Sequence, residues 1–262
     1  MTANALDNIQ TFDAWAQDYY EPQALGHYDR VLGRMLALLE PPPVGLVLDA
    51  GCGTGVHSIR AARAGYRVEA VDVSGVALER AAGFARQAGV GDRIRFQRSD
   101  VTTLPFADAS FDAVFSWGVV THIPDLEPAL RELLRVLKPG GRLALEVTNR
   151  HALDHKIEGL GRFLLRKPKT GHERQRFGLG GWDPMSGGRL WNWRLDVPEV
   201  VRTVESLGAA RVHRSATDFT ELQRRVKGPL RRLLRAVNTL YARVGLPARP
   251  ACTNLLVFRK PA

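Results

Sequence analysis

Between Val44 and Val147 the chain alternates short, nearly uninterrupted apolar runs with helical patterns: VGLVLDA (44–50), YRVEAVDV (66–73), RIRFQRSD (93–100), FDAVFSWG (111–118) and GRLALEV (141–147). Strands this apolar are covered on both faces, and strands separated by helices must run parallel, so the pattern predicts a doubly wound α/β core over 44–148. Helices are expected at 55–65, closed by Gly65, and at 74–88, capped by Ser74 and closed by Gly89. A third is expected at 125–137, stopped by Pro139-Gly140. An ordinary globular composition, 45% hydrophobic and 24% charged, excludes collagen-like, fully disordered and coiled-coil chains. Upstream, 1–43 reads as a helical cap, in which Phe12, Trp15, Tyr19 and Tyr20 form an aromatic stripe at spacings of three and four.

After Val147 the rhythm breaks. Residues 149–195 run from a His- and Asn-containing start through the basic stretch RFLLRKPK to GLGGWDPMSGGRLWNW, too long for an ordinary connection. They are expected to form a substrate lid, partly helical or mobile, whose tryptophans either wall a ligand or make a small core of their own. Regular structure resumes at Asp196. Asp196 and Glu199 have capping-box spacing and Pro198 sits in the first turn of a helix running to about Leu207. Strands at 209–219 and 254–260 then flank a basic helix at 229–244. The organisation expected is one domain, 1–262, with the last helix and strands in 196–262.

Charge is distributed unevenly. Residues 1–150 carry 15 basic and 18 acidic side chains, whereas 151–250 carry 20 and 9, and this third accounts for the overall +10. Such asymmetry points either to an anionic partner, such as a phospholipid surface, nucleic acid or an acidic substrate, or simply to an Arg-rich proteome, since Arg greatly outnumbers Lys throughout. In helix 229–244, Leu230, Leu233, Leu234, Val237, Leu240, Tyr241 and Val244 form an apolar stripe, with Arg231, Arg232, Arg235 and Arg243 off it. The stripe is expected either to pack on the last hairpin, leaving a solvated Arg face, or to rest on anionic lipid. No apolar run approaches the ~18 residues of a membrane span. MTANALDNIQTF has no basic segment before an apolar block, and Cys52 and Cys252 form no disulfide framework, so a cytoplasmic location is expected.

Chemistry concentrates where strands end. The first leads into VLDAGCGTG, which puts Asp49, Gly51, Cys52, Gly53 and Gly55 between a strand and a helix N-terminus. Glycines there allow close backbone approach to a ligand. A dinucleotide-binding turn would want its third glycine at position 56, which is Val56. Asp49 would repel a phosphate and attract an ammonium, so a cationic ligand is expected. Asp72, followed by Val73, ends the second strand 21 residues after Gly51, where a carboxylate accepts ribose hydroxyls. Asp100 ends the third, where it can accept from an adenine amino group while the Val101 N–H reaches a ring nitrogen. Three acids on successive strand ends, at the edge where open α/β sheets bind ligands, point to a nucleoside.

Taken together, AGCGTG, the acid of VEAVDVS, SDVTTLPF, FDAVFSWGVVTHIPD and LRELLRVLKPGGRLALEV resemble the class I S-adenosylmethionine-dependent methyltransferases. The similarity is to the small-molecule subgroup that includes ubiquinone and menaquinone enzymes, over about 10–150 and 196–260. It implies a Rossmann-like seven-stranded sheet with a reversed last strand, S-adenosylmethionine as cofactor, and methyl transfer to a nucleophilic O, N, C or S. TFDAWAQDYYEP resembles the family's FDxxAxxYD segment, which implies Tyr19 near the cofactor. Carbonyls at Ser116–Gly118, Trp117 included, are expected to hold the methionyl ammonium together with Asp49.

His122, just past the fourth strand, is the candidate general base, its other reading being a helix-positioning residue. Trp182, Trp191, Trp193 and His151 are candidate substrate contacts in the lid. His151 and His155 have no evident third ligand, so no metal is expected. The function expected is O-methylation of a small aromatic, quinone-like or natural-product acceptor. N- or C-methylation remains an alternative, and so does an RNA methyltransferase using the basic third, although no Asn-Pro-Pro-aromatic signature is present. The non-enzymatic alternative is a cofactor-binding regulator or a degenerate partner subunit, against which the intact motif set argues.

Overall fold

A computed structural model describes residues 11–14, 25–164, 166, 171–185, 188–224 and 226–262. In chain order the elements are α1 (Leu25–Leu39), β1 (Leu46–Ala50), α2 (Val56–Arg63), β2 (Arg67–Asp72), α3 (Gly75–Gln87), β3 (Ile94–Arg98), β4 (Phe111–Ser116), α4 (Leu126–Arg135) and β5 (Leu137–Thr148). Then come α5 (Leu153–Leu164), β6 (Glu173–Gln175), β7 (Gly178–Met185), β8 (Gly188–Leu195), α6 (Val197–Ser206), β9 (Ala210–Ala216), α7 (Gly228–Val244) and β10 (Thr253–Arg259). Seven strands form one sheet in the order β3-β2-β1-β4-β5-β10-β9. The first five are parallel, and β10 runs antiparallel to both β5 and β9. This is the doubly wound sheet with a reversed last strand expected from the sequence.

Strand alternation divides the core between two faces. From β5, Leu143, Leu145 and Val147 join α4, α6 and the β8 tryptophans, whereas Ala144 faces α1 and α2. Reversed β10 obeys the same rule, sending Leu256 and Phe258 to the first face and Leu255 and Val257 to the second. Ser74 caps α3 as expected, its Oγ accepting from the Ala77 N–H at 3.0 Å.

Two local expectations are corrected. Pro139-Gly140 does not stop α4, which ends at Arg135; both lie inside β5, whose pairing with β4 jumps from Phe111↔Leu137 to Ala113↔Arg142. The bulge absorbs them, Gly140 taking φ 77° and donating to the Lys260 carbonyl at 3.1 Å. The capping box at α6 does not form either. Asp196 pairs with Arg150 at 2.9 Å, and Glu199 with Arg176 and Arg202, since charged partners compete better for a carboxylate than a backbone N–H does.

The segment 149–195 is ordered secondary structure over most of its length. It comprises α5 and a three-stranded antiparallel sheet, β6-β7-β8, with Trp182 opposite Trp191 and Gly180 opposite Trp193. A Cβ at Gly180 would lie 2.4 Å from the Trp191 ring, so glycine is required there. Trp191 and Trp193 are buried and pack edge-to-face, 5.2 Å between centroids. They belong to the main core on the α4 face. Among the described residues, no helix is long and apolar enough to cross a membrane.

Candidate functional site

A cleft of about 1060 Å³, its open mouth included, lies at the carboxyl edge of the sheet. One wall is the turn between β1 and α2. The N–H groups of Gly51 and Cys52 both donate to the Val71 carbonyl, at 2.8 and 2.9 Å, tying the turn to the end of β2. Gly51 has φ 84°, and a Cβ there would lie 2.2 Å from Val119 Cγ2, so only glycine fits. At Gly53 an added Cβ would meet nothing within 4 Å; the turn opens into the cleft at that point.

Asp72 stands at the centre. One carboxylate oxygen accepts from the Gly53 N–H at 2.8 Å and the other from the Ser74 N–H at 2.9 Å. Burial raises its pKa, and these two donors oppose the rise. Each oxygen keeps a second lone pair, so the anchored carboxylate can accept two ligand hydroxyls. Ser74 also bonds Asp13, in the helical turn at 11–14. Asp100 lines the same wall, held by the Thr102 N–H at 2.8 Å, with Val101 and Ser99 beside it.

Asp49 does not line the cleft. It is fully buried beneath the turn, accepting from Ser58 Oγ at 2.6 Å. Desolvation pushes its pKa up to about 7, with the Ser58 bond opposing and Asp72 adding to the rise. A cation brought into the cleft would favour the ionised form of both aspartates. Cys52 lines the wall, and burial pushes its thiol well up, so it holds shape and is no nucleophile.

The opposite wall is the loop after β4: Trp117, Gly118, Val119, His122 and Ile123. Ser116 is buried behind it and donates to the Ala50 carbonyl at 2.8 Å, bracing β4 against β1. Phe12 closes one end, edge-to-face with His122 at 6.4 Å. His122 Nδ1 lies 2.9 Å from the Trp191 carbonyl. A carbonyl only accepts, so Nδ1 carries the proton and Nε2 is the basic nitrogen of the neutral ring. The neighbouring bonds repeat this attachment. Thr121 Oγ1 donates to the Trp193 carbonyl at 3.2 Å, and Trp193 Nε1 donates to the Ile123 carbonyl at 2.8 Å. β8 therefore clamps the loop bearing His122.

Gly51, Cys52, Gly53, Asp72, Val73, Asp100, Val101, Trp117 and His122, read from the sequence, meet in this cleft. Tyr19 lies outside the described residues. Trp182, Trp191, Trp193 and His151 are not among the lining residues, the last bonding to Arg150 at 3.0 Å. Thr54, His57, Ser74, Ser99, Val119 and Ile123 line it without having been singled out. His57 carried a usable signal, since the second residue of a helix following such a turn faces the ligand side; it packs against Trp117 at 5.2 Å.

The wall chemistry suits S-adenosylmethionine. Among the described lining residues there is no Lys or Arg to meet a pyrophosphate, whereas two carboxylates are placed for hydroxyl, amino and ammonium groups. Thr54 Oγ1 is buried at the wall without a hydrogen-bond partner, which a polar ligand would supply.

Residues 48–145 match the family model described as a methyltransferase domain. A 27-O-demethylrifamycin SV methyltransferase of Amycolatopsis mediterranei is 40% identical over 117 residues, 44% of this chain and 43% of the relative. A demethylmenaquinone methyltransferase of Clavibacter sepedonicus is 46% identical over 100 residues, 38% and 39% of the two chains. The chain thus aligns with about two fifths of the length of the curated relatives it matches. A solved SAM-dependent methyltransferase from Methanosarcina mazei shares the fold, with TM-score 0.61 and 20% identity over 87% of this chain and 97% of that one. The resemblance to class I S-adenosylmethionine-dependent methyltransferases therefore holds over the cofactor half.

Proposed function

We propose that this chain transfers a methyl group from S-adenosylmethionine to a hydroxyl oxygen of a small aromatic, quinone-like or natural-product acceptor. The observation carrying the reading is the joining of two walls in one cleft, with anchored Asp72 on the cofactor side and tautomer-fixed His122 opposite. The named substrates of the two relatives, a rifamycin and a menaquinone precursor, support the acceptor class.

Bound in the cleft, the cofactor supplies a methyl group already activated on a sulfonium. The chain's own task is alignment and proton management. Asp72 would hold the ribose hydroxyls and Asp100 the adenine amino group. Gly51 lets the backbone approach, and the buried Asp49 adds negative potential beneath the turn. Alignment alone can supply up to roughly 7–11 kcal/mol of acceleration. If the acceptor oxygen took the methyl group and S-adenosylhomocysteine left, His122 Nε2 would receive the hydroxyl proton. The products are the methyl ether, S-adenosylhomocysteine and a protonated imidazole. The Trp191 carbonyl stabilises that cation through Nδ1–H. Phe12 and Trp117 supply apolar wall to the cleft.

Calorimetry with S-adenosylhomocysteine is expected to show one site per chain, weakened by about 1–3 kcal/mol in Asp72→Ala. Comparable affinity for NAD would overturn the cofactor assignment. With a phenolic acceptor, His122→Ala is expected to lower kcat about 10²-fold at neutral pH, the loss shrinking as the phenol ionises unaided near pH ~10. A loss under about tenfold at every pH would reduce His122 to positioning.

A further inference from the structure

Two helices outside the catalytic cleft are inverted. In α7 the one buried residue is Asn238, which accepts from the Thr220 N–H and donates to the Thr220 carbonyl and to Asp218, each at 3.0 Å. The outward face holds Leu230, Leu233, Leu240 and Val244, of which Leu233 is 60% and Leu240 62% exposed. α5 repeats the arrangement. Its inner side carries Asp154, which accepts from Thr220 Oγ1 at 2.7 Å and the Glu221 N–H at 2.9 Å, and Glu158, paired with Arg194 at 3.0 Å. Its outer side carries Leu153, Ile157, Leu160 and Leu164 at spacings of four, three and four, with Phe163 beside them 78% exposed. Both helices are anchored on the same segment, 218–221.

Soluble surfaces rarely leave apolar faces of this extent uncovered. The charge around them indicates the occupant. From Leu222 to Ala262 the chain has ten basic residues and no acidic one. Arg232 and Arg243 are exposed beside the leucines of α7, and Lys156 is exposed on α5. A second copy of the chain, brought face to face, would set arginine against arginine with no carboxylate from this segment between them. A nucleic acid would satisfy the arginines and leave the leucines in water. An anionic bilayer surface meets both demands, apolar side chains entering the headgroup–acyl boundary and basic ones pairing with phosphates.

We propose that α5 and α7 dock this protein on an anionic phospholipid surface through their outward leucine faces, with Arg232 and Arg243 pairing with lipid headgroups. The docking is independent of what the cleft methylates. The full chain is expected to sediment with vesicles of equal parts phosphatidylcholine and phosphatidylglycerol, and far less with phosphatidylcholine alone. Added salt weakens the binding, because charges separated beyond about 8–10 Å are screened. Leu233→Glu with Leu240→Glu, and separately Ile157→Glu with Leu160→Glu, are each expected to lower vesicle affinity about tenfold or more. These substitutions should leave the melting temperature and the affinity for S-adenosylhomocysteine unchanged, which separates docking from folding and from the cofactor site. Failure of the wild type to bind the mixed vesicles at low salt would overturn the proposal. So would leucine variants that bind as the wild type does, or a solution dimer that Leu233→Glu dissociates.

Discussion

Helices α4 and α7 are both two-faced, yet they turn opposite faces inward. α4 buries Leu126, Ala129, Leu130, Leu133 and Leu134 against the sheet and leaves Glu127 and Arg131 to pair outside. α7 buries Asn238 and exposes Leu230, Leu233 and Leu240. The contrast extends to the segments around them. In 46–148 apolar side chains fill the interior and carboxylates gather at the sheet edge. In 149–250 polar contacts, among them Asp154–Thr220 and Asn238–Thr220, hold the outer helices together with the Phe219–Tyr241 stack. Amphipathic periodicity therefore locates a stripe without saying which side of it is the inside.

The sharpest break in this comparison is a leucine deletion on each helix. Leu130→Ala is expected to cost about 2–5 kcal/mol of unfolding free energy by chemical denaturation, because the side chain is fully buried and its loss leaves a cavity. Leu233→Ala should fall within about 0.5 kcal/mol of wild type. Equal losses at the two positions would mean that α7 is covered by the chain itself.

Asp49 offers an effect nearly as large with a defined pH sign. Its pKa in the folded protein, about 7, lies above the 3.8 of an exposed aspartate, so the folded state holds the proton more tightly. Stability from this group is present below pH 3.8 and lost as pH rises through about 7. The full difference is roughly 4 kcal/mol. Without cofactor, Asp49→Asn should therefore be more stable than wild type at pH ~8 by up to that amount, while binding S-adenosylhomocysteine more weakly. A variant whose stability follows the wild-type pH curve would show that Asp49 stays ionised.

Two smaller changes sharpen the contrast within α7. Asn238→Leu makes the helix more apolar, yet should destabilise by about 1–3 kcal/mol, since the Thr220 N–H and carbonyl lose their partners. Leu240→Gln, the reverse chemistry on the outer face, should change the melting free energy by less than about 0.5 kcal/mol. Stabilisation by Asn238→Leu would refute the inverted orientation outright.

Much of the cofactor half was legible because its signals are local. The five parallel strands alternate with helices over a few residues each, and the glycine turn with Asp72 and Asp100 lies within one βα repeat of its neighbours. Even there the burial of Asp49 beneath the turn, where Ser58 bonds it, shows only in the tertiary structure. The insertion was harder, because a Gly- and Trp-rich stretch has no helical period. Its strands declare themselves only when Gly180 is seen to clear the Trp191 and Trp193 rings.

Local sequence was sufficient for the doubly wound sheet, the turn of Gly51 and the carboxylates at the strand ends, since backbone sterics and the period of apolar residues act over a few positions. Only the tertiary structure decided that β8 clamps the His122 loop and sets that ring's tautomer, that Trp191 and Trp193 belong to the core, and that α5 and α7 face outward. Those outcomes rest on contacts between residues far apart in the chain, such as His122 with Trp191 and Asp154 with Thr220. The polar segment 218–221 hydrogen-bonds the polar faces of both helices and so holds them inward, and no periodicity within either helix encodes that.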